Sequence, residues 1–252
     1  MRTALVRRTV LTASAVSLAV LATACGESGK TDAKPSASAP ATSAAPAAKG
    51  KTDAEMAALV VTQAELPDQL VSAEGAAKAA AVATEPDNAA CKPLAQIQSA
   101  QKIGPAVGTG RTAAKAKPKE LPAGASAEDK VEAGLMALGG DQTLVTVSSY
   151  DGKGADEAFA SVKAAGAACA GGYTVTSEGE KTKLDSVTPG AAVTGGDEAA
   201  SYTVVMDLED GDKSTGHLVV VRKGNALATF YTWGLKAALP KGIVDAQVKK
   251  LV

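Results

Sequence analysis

One histidine, one tryptophan and three cysteines occur in 252 residues, and aromatic side chains make up only 3% of the chain. A single histidine, His217, excludes any site that needs two. No C-x-x-C pair is present, which removes the common zinc-binding and thioredoxin-like spacings. No G-x-S-x-G occurs, so the nucleophile elbow of serine hydrolases is missing. The glycine cluster Gly104 to Gly110 lacks G-x-G-x-x-G spacing, and Gly50-Lys51-Thr52 lacks the earlier glycine of a phosphate loop, because Ala45 stands there. Charge of one sign is also missing. The 26 Lys and Arg against 27 Asp and Glu give a net charge of −1, whereas nucleic-acid binders normally carry a strong basic excess. These absences point to a chain with no catalytic residues, no metal, no cofactor and no nucleic-acid partner.

What is present begins with an address. Arg2, Arg7 and Arg8 form a positive start, and Val10 to Leu21 is a short apolar stretch. At about 12 residues it is too short to span a membrane as a helix, which takes about 20. Leu21-Ala22-Thr23-Ala24-Cys25-Gly26 then resembles a lipobox: small residues admit an extended chain to a peptidase, and the Cys25 thiol accepts the lipid. Residues 1–24 are therefore expected to be a lipoprotein signal peptide, with acylation (diacylglycerol, palmitate) at Cys25. Arg7-Arg8 is read as part of the basic start and not as a twin-arginine signal. No later stretch reaches spanning length, so the membrane partner would be held by lipid alone, on the extracytoplasmic face.

From Gly26 to about Gly50 the chain is Ala, Ser, Pro, Thr, Gly and Lys without a large apolar residue. Such a segment cannot offset its ordering entropy, so 25–52 is expected to be the lipidated cysteine plus a disordered tether. The domain is expected over 53–252. Helices are predicted at 54–61, with Asp53 as cap, and at 88–100, 129–138, 156–169 and 241–252. Strands are predicted at 143–150 and 173–177. A meander over 201–208, 216–222 and 226–233 follows, with its first turn at the acidic run Glu209-Asp210-Gly211-Asp212. Leu218-Val219-Val220-Val221 is apolar at every position and should lie centrally. Lysine-rich 113–126 is expected to be a basic surface loop. The pattern is α+β: a mostly antiparallel sheet with helices packed on one face, in a single domain after the linker.

Three residue groups stand out. With Cys25 lipidated, Cys91 and Cys169 remain, and an even remainder in an oxidising compartment is read as a disulfide joining two helices. His217 at the start of the most apolar strand is read as a packing residue. Tyr231 and Trp233 share one strand face and are the candidate ligand-binding wall, since aromatic side chains dominate ligand contacts where they line a cleft.

Val147-Ser148-Ser149-Tyr150, Ala158-Phe159-Ala160 and Ala168-Cys169-Ala170-Gly171 give the order strand, helix and helix-end cysteine before a β-rich half. In this the chain resembles actinobacterial surface lipoproteins with PknH-like extracellular sensor domains. The resemblance implies an antiparallel sheet with helices, a central cleft, disulfides and a sensor role at the cell surface. The function expected is a membrane-anchored, non-catalytic binding or sensor module for an unknown envelope ligand. The alternatives are a structural lipoprotein docking another envelope protein, and a hydrolase.

Overall fold

The computed structural model describes residues 48–118, 120–208, 212–234 and 237–251, which belong to one compact unit. The signal segment, Cys25, the linker up to residue 47 and the acidic turn residues 209–211 lie outside the described residues.

The chain runs through α1 (Asp53–Ala58), β1 (Gln69–Ser72), α2 (Ala73–Ala81), β2 (Thr84–Pro86), a 3-10 turn (Ala89–Cys91) into α3 (Lys92–Gln98), β3 (Gly108–Ala116), α4 (Ala127–Gly139), β4 (Gln142–Ser149), α5 (Gly154–Ala168), β5 (Tyr173–Ser177), β6 (Glu180–Pro189), β7 (Glu198–Asp207), β8 (Lys213–Lys223), β9 (Ala226–Trp233) and α6 (Lys241–Lys250). The strands form one nine-stranded sheet in the order β1-β3-β4-β9-β8-β7-β6-β5-β2, with every pair antiparallel. The fold is α+β and mostly sheet. The expected meander is its middle, extended to five consecutive strands by β5 and β6.

Helices cover both faces, which corrects the expectation of one. Leu218 and Val220 of β8 join Leu144, Leu227 and Tyr231 in a core roofed by Leu94 and Ile97 of α3 and Phe159 and Val162 of α5. Val219 and Val221 point the other way, into a second core with Val145, Val147, Ala228 and Phe230 under Met56 of α1 and Ile243 and Val244 of α6. A strand that is apolar at consecutive positions has two faces to hide, so a single helical layer would have left one of them wet.

Three local readings also change. The α1 cap is Thr52, whose side chain and Glu55 form a reciprocal capping box. Asp53 instead accepts from the Thr109 amide at 2.7 Å. Residues 113–116, expected in a loop, are the end of β3, paired with both β1 and β4. Two glycines of the 104–110 cluster, Gly108 and Gly110, serve this packing. A Cβ at Gly110 would sit 2.5 Å from the Met56 carbonyl oxygen, and one at Gly108 would run into the backbone of Lys51 and Thr52. They let α1 lie directly on β3.

Candidate functional site

On the second face the apolar stripe runs along β4 as Val147 and Val145 and along β9 as Ala228 and Phe230. It ends in two threonines. Thr143 and Thr232 are register partners, and their hydroxyls lie 2.8 Å apart in a buried contact. There the helical cover stops, and a groove of about 440 Å³ opens at the end of the sheet, within the size range of small-ligand sites. Thr143, Thr232 and Ala116 form its floor. One wall is the turn Glu65–Gln69 leading into β1, and the other is Ala238–Ile243, the loop and first turn of α6.

The walls are fixed to one another. Gln247 of α6 is fully buried; its Oε1 accepts from the Val61 amide at 3.0 Å and its Nε2 donates to the Leu59 carbonyl at 2.8 Å. Lys250 Nζ donates to Glu65 Oε1 at 2.9 Å, while Thr62 donates to the other oxygen from its amide and its hydroxyl. The Thr62 hydroxyl, then Lys250, hold the Glu65 carboxyl down to about 2. The Thr62–Glu65 bonds therefore close a turn that braces a wall of the groove. Asp141 at the head of β4 fastens the other wall, accepting from the Ala238 amide at 3.0 Å.

The aromatic pair lies on the opposite face of the same strand end. Tyr231 is buried in the first core and its hydroxyl donates to Met206 Sδ at 3.4 Å. Burial pushes it up to about 12. Trp233 is half-buried and stacks on Tyr231, with centroids 5.1 Å apart and planes 19° apart. Neither lines the groove. Strand alternation places Thr232 between them pointing the other way. The aromatic residues are conspicuous in the sequence by their size. The signal for the groove was quieter: on one face of two neighbouring strands, Val and Phe give way to Thr at the same register.

His217 pairs with Thr203 and Thr232 across β7 and β9, and its Nε2 hydrogen-bonds the Ala237 carbonyl at 3.0 Å. That contact ties β8 to the loop after β9. Among the described residues no cluster of three His, Cys, Asp or Glu side chains is placed to hold a metal, and no helix is long and apolar enough to cross a membrane.

Cys91 and Cys169 are bonded, with Cα atoms 5.8 Å apart, and both are buried. Cys91 precedes α3 and Cys169 caps the end of α5. The bridge therefore staples the two helices that roof the first core.

Comparison with known proteins finds no matching family model and no matching curated protein. Among solved structures the chain is similar to the extracellular domain of PknH from Mycobacterium tuberculosis, at 10% identity and a TM-score of 0.44, covering 81% of this chain and 96% of that one.

Proposed function

We propose that this chain is a lipid-anchored extracytoplasmic module that binds a small ligand in the groove between the Glu65–Gln69 turn and the start of α6, and performs no chemistry on it. The observation that carries the reading is the groove itself: ligand-sized, floored by two buried hydroxyls, and held open by the Gln247 and Glu65–Lys250 clamps. Walls fixed in advance lose little freedom when a ligand arrives, which favours binding. The address is supported by the lipobox at Cys25 and by the Cys91–Cys169 bridge, a feature of oxidising compartments. A serine hydrolase is disfavoured by the lack of a G-x-S-x-G elbow, and His217 spends its Nε2 on tying β8 to the Ala237 carbonyl. A docking protein would present a contiguous apolar patch, whereas among the described residues the exposed large apolar side chains Leu70, Val107, Val131 and Leu208 sit on four separate segments.

The test uses Gly242, which lines the groove and whose Cβ position has nothing within 4 Å. Gly242→Phe thus starts a bulky side chain from open space at the groove wall. Envelope lipids, glycan fragments and peptides are screened for a saturable rise in melting temperature. Binding at a hundredfold excess over Kd adds about 2.7 kcal/mol. The reading requires at least one saturable binder that Gly242→Phe weakens at least tenfold, about 1.4 kcal/mol. Saturable binding of equal strength in the variant would remove the groove as the site.

A further inference from the structure

We propose that the groove takes a small zwitterion, a molecule carrying one ammonium and one oxyanion, such as a free amino acid or a phosphoethanolamine headgroup; the proposal rests on the groove-binding reading above and names its ligand class.

Four charged residues line the groove: Glu65, Asp68, Asp141 and Lys241. Two of them are spent on the protein itself. Both Glu65 oxygens are taken, one by Lys250 and the other by Thr62. Asp141 accepts from the Ala238 amide. Asp68 and Lys241 are exposed, and among the described residues the side chain of neither has an ion-pair or hydrogen-bond partner. They belong to opposite walls, Asp68 to the turn before β1 and Lys241 to the first residue of α6, and they do not pair with each other. The groove thus offers one free charge of each sign across a space of about 440 Å³.

The surroundings reinforce each sign. Lys241 opens α6, and its cap residue, Pro240, supplies no side-chain acceptor. The first-turn amides therefore add partial positive charge to that wall. On the floor, Thr143 and Thr232 share one hydrogen bond at 2.8 Å, which uses one of their two hydroxyl protons. The second proton has no acceptor among the described residues, so an oxyanion can receive it. On the other wall, the cation adjoining Asp68 is engaged elsewhere. Lys117 does not line the groove, and its ammonium donates to the Pro67 carbonyl. A purely anionic ligand would meet Asp68 uncompensated, and a purely cationic one would meet Lys241. A zwitterion is complementary to both.

The experiment titrates the full chain by calorimetry with the common amino acids and with phosphoethanolamine. Each is run beside forms bearing one charge: the N-acetyl and amide derivatives for amino acids, ethanolamine and inorganic phosphate for the headgroup. The proposal expects at least one zwitterion to bind saturably, at least tenfold tighter than its singly charged forms. Asp68→Asn and Lys241→Gln, both at exposed positions, should each weaken it at least tenfold, the effect of losing one charge-assisted bond. Lys241→Gln should leave the affinity of the amide derivative unchanged, because that form has no oxyanion to lose. An amino acid as the binder points to a free solute, and phosphoethanolamine as the binder points to a lipid headgroup; either supports the class. A zwitterion bound equally well by the two charge variants, or by Gly242→Phe, overturns the proposal. If no zwitterion binds but an uncharged molecule does and is lost in Gly242→Phe, the proposal falls and the groove reading stands. Silence from every probe and from the wider screen overturns both.

Discussion

Replacing both Cys91 and Cys169 with Ala removes the one covalent link between α3 and α5 while leaving no lone thiol behind. The residues are 78 apart in sequence, and in loop-closure terms opening a loop of that length costs about 4.5 kcal/mol of stability. Small domains have a net stability of about 5–15 kcal/mol, so the loss is a large fraction of the total. For a domain of this size each kcal/mol moves Tm by about 2–4 °C, giving an expected fall of about 9–18 °C. Both sulfur positions are buried beneath the first core, so a small void adds to the entropic loss. Guanidinium unfolding followed by far-UV circular dichroism reads the effect. The midpoint should fall and the slope m should rise, because the unfolded chain without the bridge exposes more surface. A loss below about 1 kcal/mol with unchanged m would refute the reasoning, since a loop of this length cannot open so cheaply. Two freely alkylated thiols in the folded, exported protein would refute the bridge itself.

Gln247→Leu should cost about 2–4 kcal/mol, because the Val61 amide and the Leu59 carbonyl each lose a buried partner; a loss under 0.5 kcal/mol on urea titration would show the clamp is idle. All four tyrosines, Tyr150, Tyr173, Tyr202 and Tyr231, are held above their usual range by burial, Tyr150 and Tyr231 up to about 12. A raised tyrosine contributes stability that is complete below pH 10 and is lost as pH climbs toward 12. Absorbance at 295 nm should therefore stay flat past pH 10 and then rise together with unfolding, and normal titration near pH 10 in folded protein would contradict their burial. Glu65 has the opposite sign: its carboxyl is held down to about 2, so its contribution is present above pH 4.5 and fades as pH falls toward 2. Hydrogen exchange at residues 62–69 should quicken across that window in wild type, and Glu65→Gln should exchange quickly at every pH; a wild-type turn indifferent to acid would sink this clamp.

Much of the architecture was legible because it is written in period. The runs at 143–150, 173–177 and 226–233, and the amphipathic helix at 156–169, fall within a few residues of β4, β5, β9 and α5. Missed were β1, α2, β2, β3 and β6. β3 is Gly108-Thr109-Gly110-Arg111-Thr112-Ala113-Ala114-Lys115-Ala116, whose composition suits a loop. It is a strand because its small residues admit α1 on one side and α2 on the other, a tertiary effect that no local window contains. β6 opens with Glu180-Lys181-Thr182-Lys183, exposed throughout and held by pairing with β5, and its burial starts only at Leu184. The disulfide was legible from cysteine parity and compartment alone. The groove was not, because its floor comes from two strands nearly ninety residues apart, and its clamp, Gln247, finds its partners in a segment some 186 residues earlier.

The central claim is that the groove holds a ligand, and native mass spectrometry of the acylated protein purified from its own cells tests it most directly. The account predicts a non-covalent mass on the wild-type protein beyond polypeptide and lipid. The mass should be absent from Gly242→Phe protein of equal melting temperature. The same mass on both proteins, or a wild-type protein that carries none, would contradict it.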